Sequence, residues 1–258
     1  MLKKTPVVSG PQLLRPYWAK LTKLNSTLGI VLILLLGIPR FIIVLHANVT
    51  GNYSPVSIVF LCMWLAPFLL LNKQGRRTIG IKKPSSYLSL LYSFLIGAIA
   101  CFILFVIGDI SFGKTYHNCF VYIAKSYSAT IGQLNASNRL IYFIIYAVTS
   151  MTFSPIGEEL FYRGIVHQCF VAEQGENKAS IYDSLAFGLT HLAHFGIVYI
   201  AGVWKFLFIP SILWVLSMFL CSRLFYACKV KSGSIFGAMM AHAGFNLTMI
   251  YLIFYRIL

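Results

Sequence analysis

Long uncharged apolar runs alternate along the chain with short segments that hold nearly all of its charge. The runs fall near residues 27 to 46, 54 to 71, 86 to 108, 140 to 157, 184 to 204, 206 to 222 and 233 to 255. A helix needs about 20 apolar residues to cross the hydrocarbon core, and a charge at its centre costs about 2.5 to 3.5 kcal/mol on insertion scales. The pattern predicts an all-α polytopic integral membrane helix bundle of about seven transmembrane helices. Residues 27–258 are expected to form a single transmembrane helical domain behind a basic cytoplasmic N-terminal segment, residues 1–26. Within that segment Leu13, Leu14, Tyr17, Trp18 and Leu21 mix with basic residues. This suits either a short helix on the membrane surface or an unstructured basic tail, and both readings stay open. Residues 109–138 are expected to be an outer loop or interfacial segment.

Composition agrees with burial in lipid. Hydrophobic residues make up 59% and charged residues 10% of the chain, against about 25% charged in an average soluble domain. The net charge of +15, from 21 Lys and Arg against 6 Asp and Glu, would suggest nucleic acid in a soluble protein. Here the cations sit between apolar runs, so topology and anionic lipid explain them and no nucleic-acid partner is expected. The N-terminus and residues 72–85, 172–179 and 223–231 hold 14 Lys and Arg, whereas the alternate segments hold 5: Lys114, Lys125, Arg139, Lys205 and Arg256. The positive-inside rule then predicts a plasma (inner) membrane protein with a cytoplasmic N-terminus and an outer C-terminus. Arg40, inside the first run, is expected to snorkel toward the outer interface. Cys62, Cys101, Cys221 and Cys228 lie in apolar runs without CxxC spacing and read as small buried residues. The first run has about 25 residues before it, as a retained anchor would.

Only six acidic residues exist, yet Glu158 and Glu159 stand together at the end of an uncharged run. The bland reading makes them markers of a cytoplasmic helix end. If the helix continues, Glu159 and Arg163 lie one turn apart and Glu158 points about 100° away. Two further runs carry unexpected polar groups. Phe187, His191 and His194 follow one another at helical spacing, and His242 and Asn246 share a helix face among Gly237, Ala238, Ala241, Ala243 and Gly244, small residues that permit close packing. A carboxylate with an imidazole can activate water, and an imidazole with an amide N–H can stabilise an oxyanion. Those are the groups needed to hydrolyse an amide. No nucleophile-elbow serine, HExxH or cysteine accompanies the histidines, so serine, zincin and cysteine mechanisms lack support.

The set resembles the CAAX protease and bacteriocin-processing (CPBP, Abi) family of intramembrane endopeptidases. The family's EExxxR is matched by Glu158, Glu159 and Arg163, its FxxxH by Phe187 and His191, and its HxxxN by His242 and Asn246. The resemblance covers about 140–250, the expected catalytic core. It implies that Glu158 with His191 activates the attacking water, that His242 and Asn246 form the oxyanion hole, and that Glu159 and Arg163 support them. His194 matches no position of the family pattern. The resemblance also implies a protein or peptide substrate, which in eukaryotic members is lipidated, and water reaching the site from the cytoplasmic side is the expectation. No cofactor is favoured. A zinc-dependent version of the same protease, with Glu158, His191 and His242 as ligands, remains an alternative. So does a non-catalytic membrane scaffold or bacteriocin immunity protein.

Overall fold

Four helices of membrane-crossing length begin on a side chain that accepts a backbone N–H the helix itself leaves open: Asn25 from Leu28, Ser86 from Leu88, Asn135 from Asn138 and Ser234 from Phe236. A computed structural model describes residues 12–131 and 135–258 of the chain. The elements in order are α1 (Pro16–Leu21), α2 (Ser26–Thr50), α3 (Ser54–Leu70), α4 (Lys73–Thr78), α5 (Tyr87–Phe112), α6 (Cys119–Ile131), α7 (Ala136–Glu158), α8 (His167–Thr190), β1 (Ile197–Ile200), β2 (Val203–Phe206), α9 (Phe208–Ser232) and α10 (Ile235–Leu252). A π-helical stretch, Glu159–Val166, joins α7 to α8.

Among the described residues five helices are long and apolar enough to cross a membrane: Ser26–Thr50, Tyr87–Phe112, Ser137–Ala193, Phe208–Ser232 and Ile235–Ile257. The apolar helix Ser54–Leu70 is shorter. Lipid-facing side chains such as Leu35 on α2, Phe102 on α5 and Ile144 on α7 are exposed, as a bundle whose solvent is hydrocarbon requires. The chain is an integral membrane protein built as a polytopic helix bundle.

Two expected segments are corrected. The run 140–157 does not end a helix at Glu158, because the backbone stays helical through the π stretch into α8 and turns away only at Gly175, whose φ is 74°. The run 184–204 is not one span. Its helix stops at Thr190, a single 3-10 turn covers His191–Ala193, and β1 and β2 pair as an antiparallel hairpin. Ala201 and Gly202, at φ 51° and 81°, are both left-handed, as a two-residue hairpin turn demands. The stretch 109–138 is also more ordered than an outer loop, with α5 running to Phe112 and α6 following. Its residues 132–134, like residues 1–11 of the basic segment, lie outside the described residues. The short α1 is tied to the end of α3, since Arg15 N donates to Leu70 O and Trp18 Nε1 to Leu69 O, while Tyr17 and Leu21 point outward.

Hydrogen bonds sort the connections into two ends of the bundle. At one end Leu13 and Asn72 pair, Ser85 N donates to Ser232 O, Ile235 N to Gly80 O, and Ser26 N to the Glu173 carboxylate. At the other end Asn48 Nδ2 donates to Ala193 O, and Tyr199 N, on the hairpin, to the Tyr122 hydroxyl on α6. Between the ends α10 packs on α5, α7 and α9. A Cβ at Gly97 of α5 would overlap the Ala241 carbonyl, and one at Gly244 would overlap the Phe94 carbonyl. Glycine at these positions lets α5 and α10 touch through their backbones, which fixes the depth and rotation of His242.

Candidate active site

The π-helical stretch gives the two adjacent glutamates different partners. Pro155 has no N–H to donate back along α7, so the turn before them is already loosened, and wide turns of this kind frequently occur at functional sites. Glu159 turns into the bundle. One of its carboxylate oxygens lies 3.2 Å from Arg163 Nε and the other 2.8 Å from His242 Nδ1. Glu158 turns toward α2 and meets Arg40 at 2.6 Å. All four charged side chains of these pairs are enclosed, with Arg40 and Glu158 each 1% exposed and Glu159 and Arg163 each 0%.

Arg40 therefore does not snorkel. Its guanidinium forms an ion pair with Glu158, donates to Thr190 Oγ1 at 2.8 Å, approaches His194 Nε2 at 3.4 Å and lies over the Phe60 ring. A charge-paired, hydrogen-bonded guanidinium is cheaper in the interior than an isolated one reaching for water. It holds Oε1 of Glu158, leaving Oε2 to face His242 Nε2 at 3.7 Å.

The histidines are held by their Nδ1 atoms. His191 Nδ1 lies 2.7 Å from Phe187 O, an acceptor only, so Nδ1 carries the proton and Nε2 keeps its lone pair. The His191 carbonyl accepts from Trp214 Nε1 on α9, which pins the end of α8. His242 Nδ1 bonds Glu159, and the His242 ring stacks on Phe225 at 4.9 Å. Phe187 ties these parts together: its ring lies 4.1 Å from the Arg163 guanidinium, 4.3 Å from the His191 ring, and edge-on to His242 at 6.0 Å. Asn246 sends its amide N–H groups to α7, to Ser150 O at 2.8 Å and Ser154 Oγ at 3.1 Å.

Glu158, His191, His242 and Asn246 all line one cavity of about 720 Å³, together with Arg40, His194 and Phe187. Glu159 and Arg163 do not reach it and stand behind His242 and Phe187. The four residues singled out for chemistry thus come from α7, the end of α8, and α10, and open onto a shared space. Two further wall residues, Arg40 and His194, were not read as part of it. His194 carried a signal in its spacing from His191, whereas Arg40 carried none beyond its unusual place in an apolar run.

Among the described residues no group of three His, Cys, Asp or Glu forms a metal-ligating set, and Glu158 already has a cation beside it in Arg40. The six cysteines are all free thiols, and Cys62, unlike the buried Cys101, Cys221 and Cys228, is exposed on α3.

Compared with known families, residues 140–248 match the family described as Type II CAAX prenyl endopeptidase Rce1-like. The match runs from the start of α7 to α10 and includes every residue of the three motifs, while Arg40 lies outside it. No curated protein and no solved structure matches the chain.

Proposed function

Since residues 140–248 of this chain match the type II CAAX prenyl endopeptidase Rce1-like family, a protease family, we propose that the chain is an intramembrane endopeptidase. It hydrolyses a peptide bond of a membrane-associated protein with water activated by Glu158 and His191. The observation that supports this reading best is the convergence of Glu158, His191, His242 and Asn246 on one cavity within the bundle.

The proposed chemistry uses only side chains. Water sits beside Glu158 Oε2, the oxygen that Arg40 leaves open, and Glu158 or the lone pair of His191 Nε2 takes its proton as its oxygen bonds the scissile carbonyl carbon. The charge that develops on the carbonyl oxygen is met by Asn246 and His242. Asn246 offers Nδ2–H once the carbonyl displaces the longer-range partner, the Ser154 hydroxyl. His242 donates from Nε2 as an imidazolium, which the Glu159 carboxylate on Nδ1 stabilises. The C–N bond then breaks, and the leaving nitrogen takes up the proton held at the base. Arg40 orients Glu158, and Arg163, stacked on Phe187, holds Glu159 in place.

The test is hydrolysis by purified protein in lipid vesicles, offered a pool of membrane-anchored peptides and read by mass spectrometry as new peptide termini. Wild type should generate new termini and Glu158→Gln, at equal amounts of inserted protein, should not. Equal cleavage by both would remove Glu158 from the mechanism, and no cleavage by wild type across a broad pool would favour the non-catalytic scaffold reading.

A further inference from the structure

From Glu158 the cavity extends toward one end of the bundle. Away from Glu158, its walls continue along Ser57 and Tyr53 of the α2–α3 region, Ser150 and Tyr146 of α7 and Tyr127 of α6, and they end at the α2–α3 turn around Asn52. In the other direction Glu159, Leu160, Arg163 and Ile235 are buried and lie outside its lining. The open end is the one that holds the α2–α3 turn and the hairpin. The closed end is the one where the α3–α4 and α9–α10 connections meet.

Charge divides along the same line. Of the described cations, those in residues 15–23, 73–83, 178 and 223–231 belong to the closed end and number 12. The open end has Lys114, Lys125, Arg139, Lys205 and Arg256. The positive-inside rule makes the closed, cation-rich end cytoplasmic. We infer that water and the scissile segment reach the site from the non-cytoplasmic face, which reverses the sequence-based expectation of cytoplasmic access. This inference rests on the proteolytic reading and narrows its substrate class. The substrate is a polypeptide whose cleaved segment has been exported or anchored on the outer side of the membrane, rather than a cytosolic chain offering a lipidated C-terminus.

The walls indicate what kind of segment fits. Between the α2–α3 turn and Glu158 they present hydroxyls, aromatic rings and aliphatic side chains, and the cavity's Lys, Arg, Asp and Glu residues are only Arg40 and Glu158, which already pair with each other. An acidic or basic side chain next to the scissile bond would enter this space unpaired, at the cost of desolvation. The preferred segment is uncharged and extended around the bond that breaks.

The experiment maps access with a membrane-impermeant maleimide on intact cells, in a Cys62→Ala background that removes the exposed native thiol. Asn52→Cys at the mouth and Ser57→Cys on the wall, with Ser54→Cys as a second wall position if Ser57→Cys fails to insert, should label from outside. Lys82→Cys at the closed end should label only after permeabilisation. Labelling of Lys82→Cys from outside would overturn the orientation. Protection of both wall positions while Asn52→Cys labels would overturn the opening. Neither readout depends on catalysis, so a failure here is separable from a failure of the protease assignment, which the Glu158→Gln vesicle experiment reads.

Discussion

The Arg40 guanidinium on α2 and the Glu158 carboxylate on α7 meet at 2.6 Å, each almost wholly shielded. Deep in a bundle, such a pair stands or falls together. Removing one partner leaves the other as an unpaired interior charge, which typically costs about 3 to 5 kcal/mol. Arg40→Ala should therefore lower thermal stability in detergent sharply as well as abolish cleavage. The double variant Arg40→Met with Glu158→Leu should recover most of the stability and none of the activity. A double variant as unstable as Arg40→Ala would show that the ion pair is not what the single substitution breaks.

In the proposed mechanism Glu159 acts through His242 rather than on substrate. Glu159→Gln keeps a hydrogen-bond acceptor at His242 Nδ1 but withdraws its negative charge, and a loss of about 10- to 100-fold, roughly 1.4 to 2.7 kcal/mol of transition-state stabilisation, is expected. The drop should fall on kcat with KM little changed, and it should come with reduced stability, because the buried Arg163 loses its ion pair.

Asn246→Ala removes one proposed oxyanion donor. A loss of about 100- to 1000-fold in kcat is the size expected for a single donor of this kind. Ser150 and Ser154 then lose only neutral hydrogen bonds, so the melting temperature should move far less than in Arg40→Ala.

Gly244→Val tests the helix contact that positions His242. The added side chain would meet the Phe94 carbonyl, forcing α5 and α10 apart, and overpacking of this kind costs about 1 to 3 kcal/mol or more. Both stability and cleavage should fall. Glycine-to-alanine at Gly113, where no atom lies within 4 Å of the new Cβ, should strain only its local left-handed turn and leave the site's activity intact.

The three motifs were legible because each is local. Glu159 and Arg163, Phe187 and His191, and His242 and Asn246 are one-turn neighbours, so helical periodicity alone sets their faces, and the resemblance supplied their order. The Arg40 partnership was not legible, because the two residues lie on different helices and a lone arginine in an apolar run is equally well explained by snorkelling. The hairpin was misread for a related reason. The segment from Ile197 to Phe206 is continuously apolar apart from Lys205 and the Ala201-Gly202 turn, and apolar content without alternation does not separate strand from helix. Its signals were the turn dipeptide and the β-branched and aromatic residues flanking it. The site's direction of opening required the connections, since only their hydrogen bonds tell which ends of the helices lie together.

Chelation distinguishes side-chain chemistry from metal chemistry. Cleavage should survive prolonged treatment with a strong zinc chelator, and metal analysis of the purified active protein should find zinc well below one equivalent. Stoichiometric zinc whose removal abolishes cleavage, and whose return restores it, would require Glu158, His191 and His242 to rearrange into a ligand set.

The most direct measurement is quantitative profiling of protein termini in membranes of cells carrying wild type or Glu158→Gln at matched abundance. The account predicts at least one membrane-associated protein whose processed terminus is present with wild type and lost with Glu158→Gln, with the uncut form accumulating in its place. Identical terminal profiles in the two strains, with both proteins inserted and folded, would contradict it.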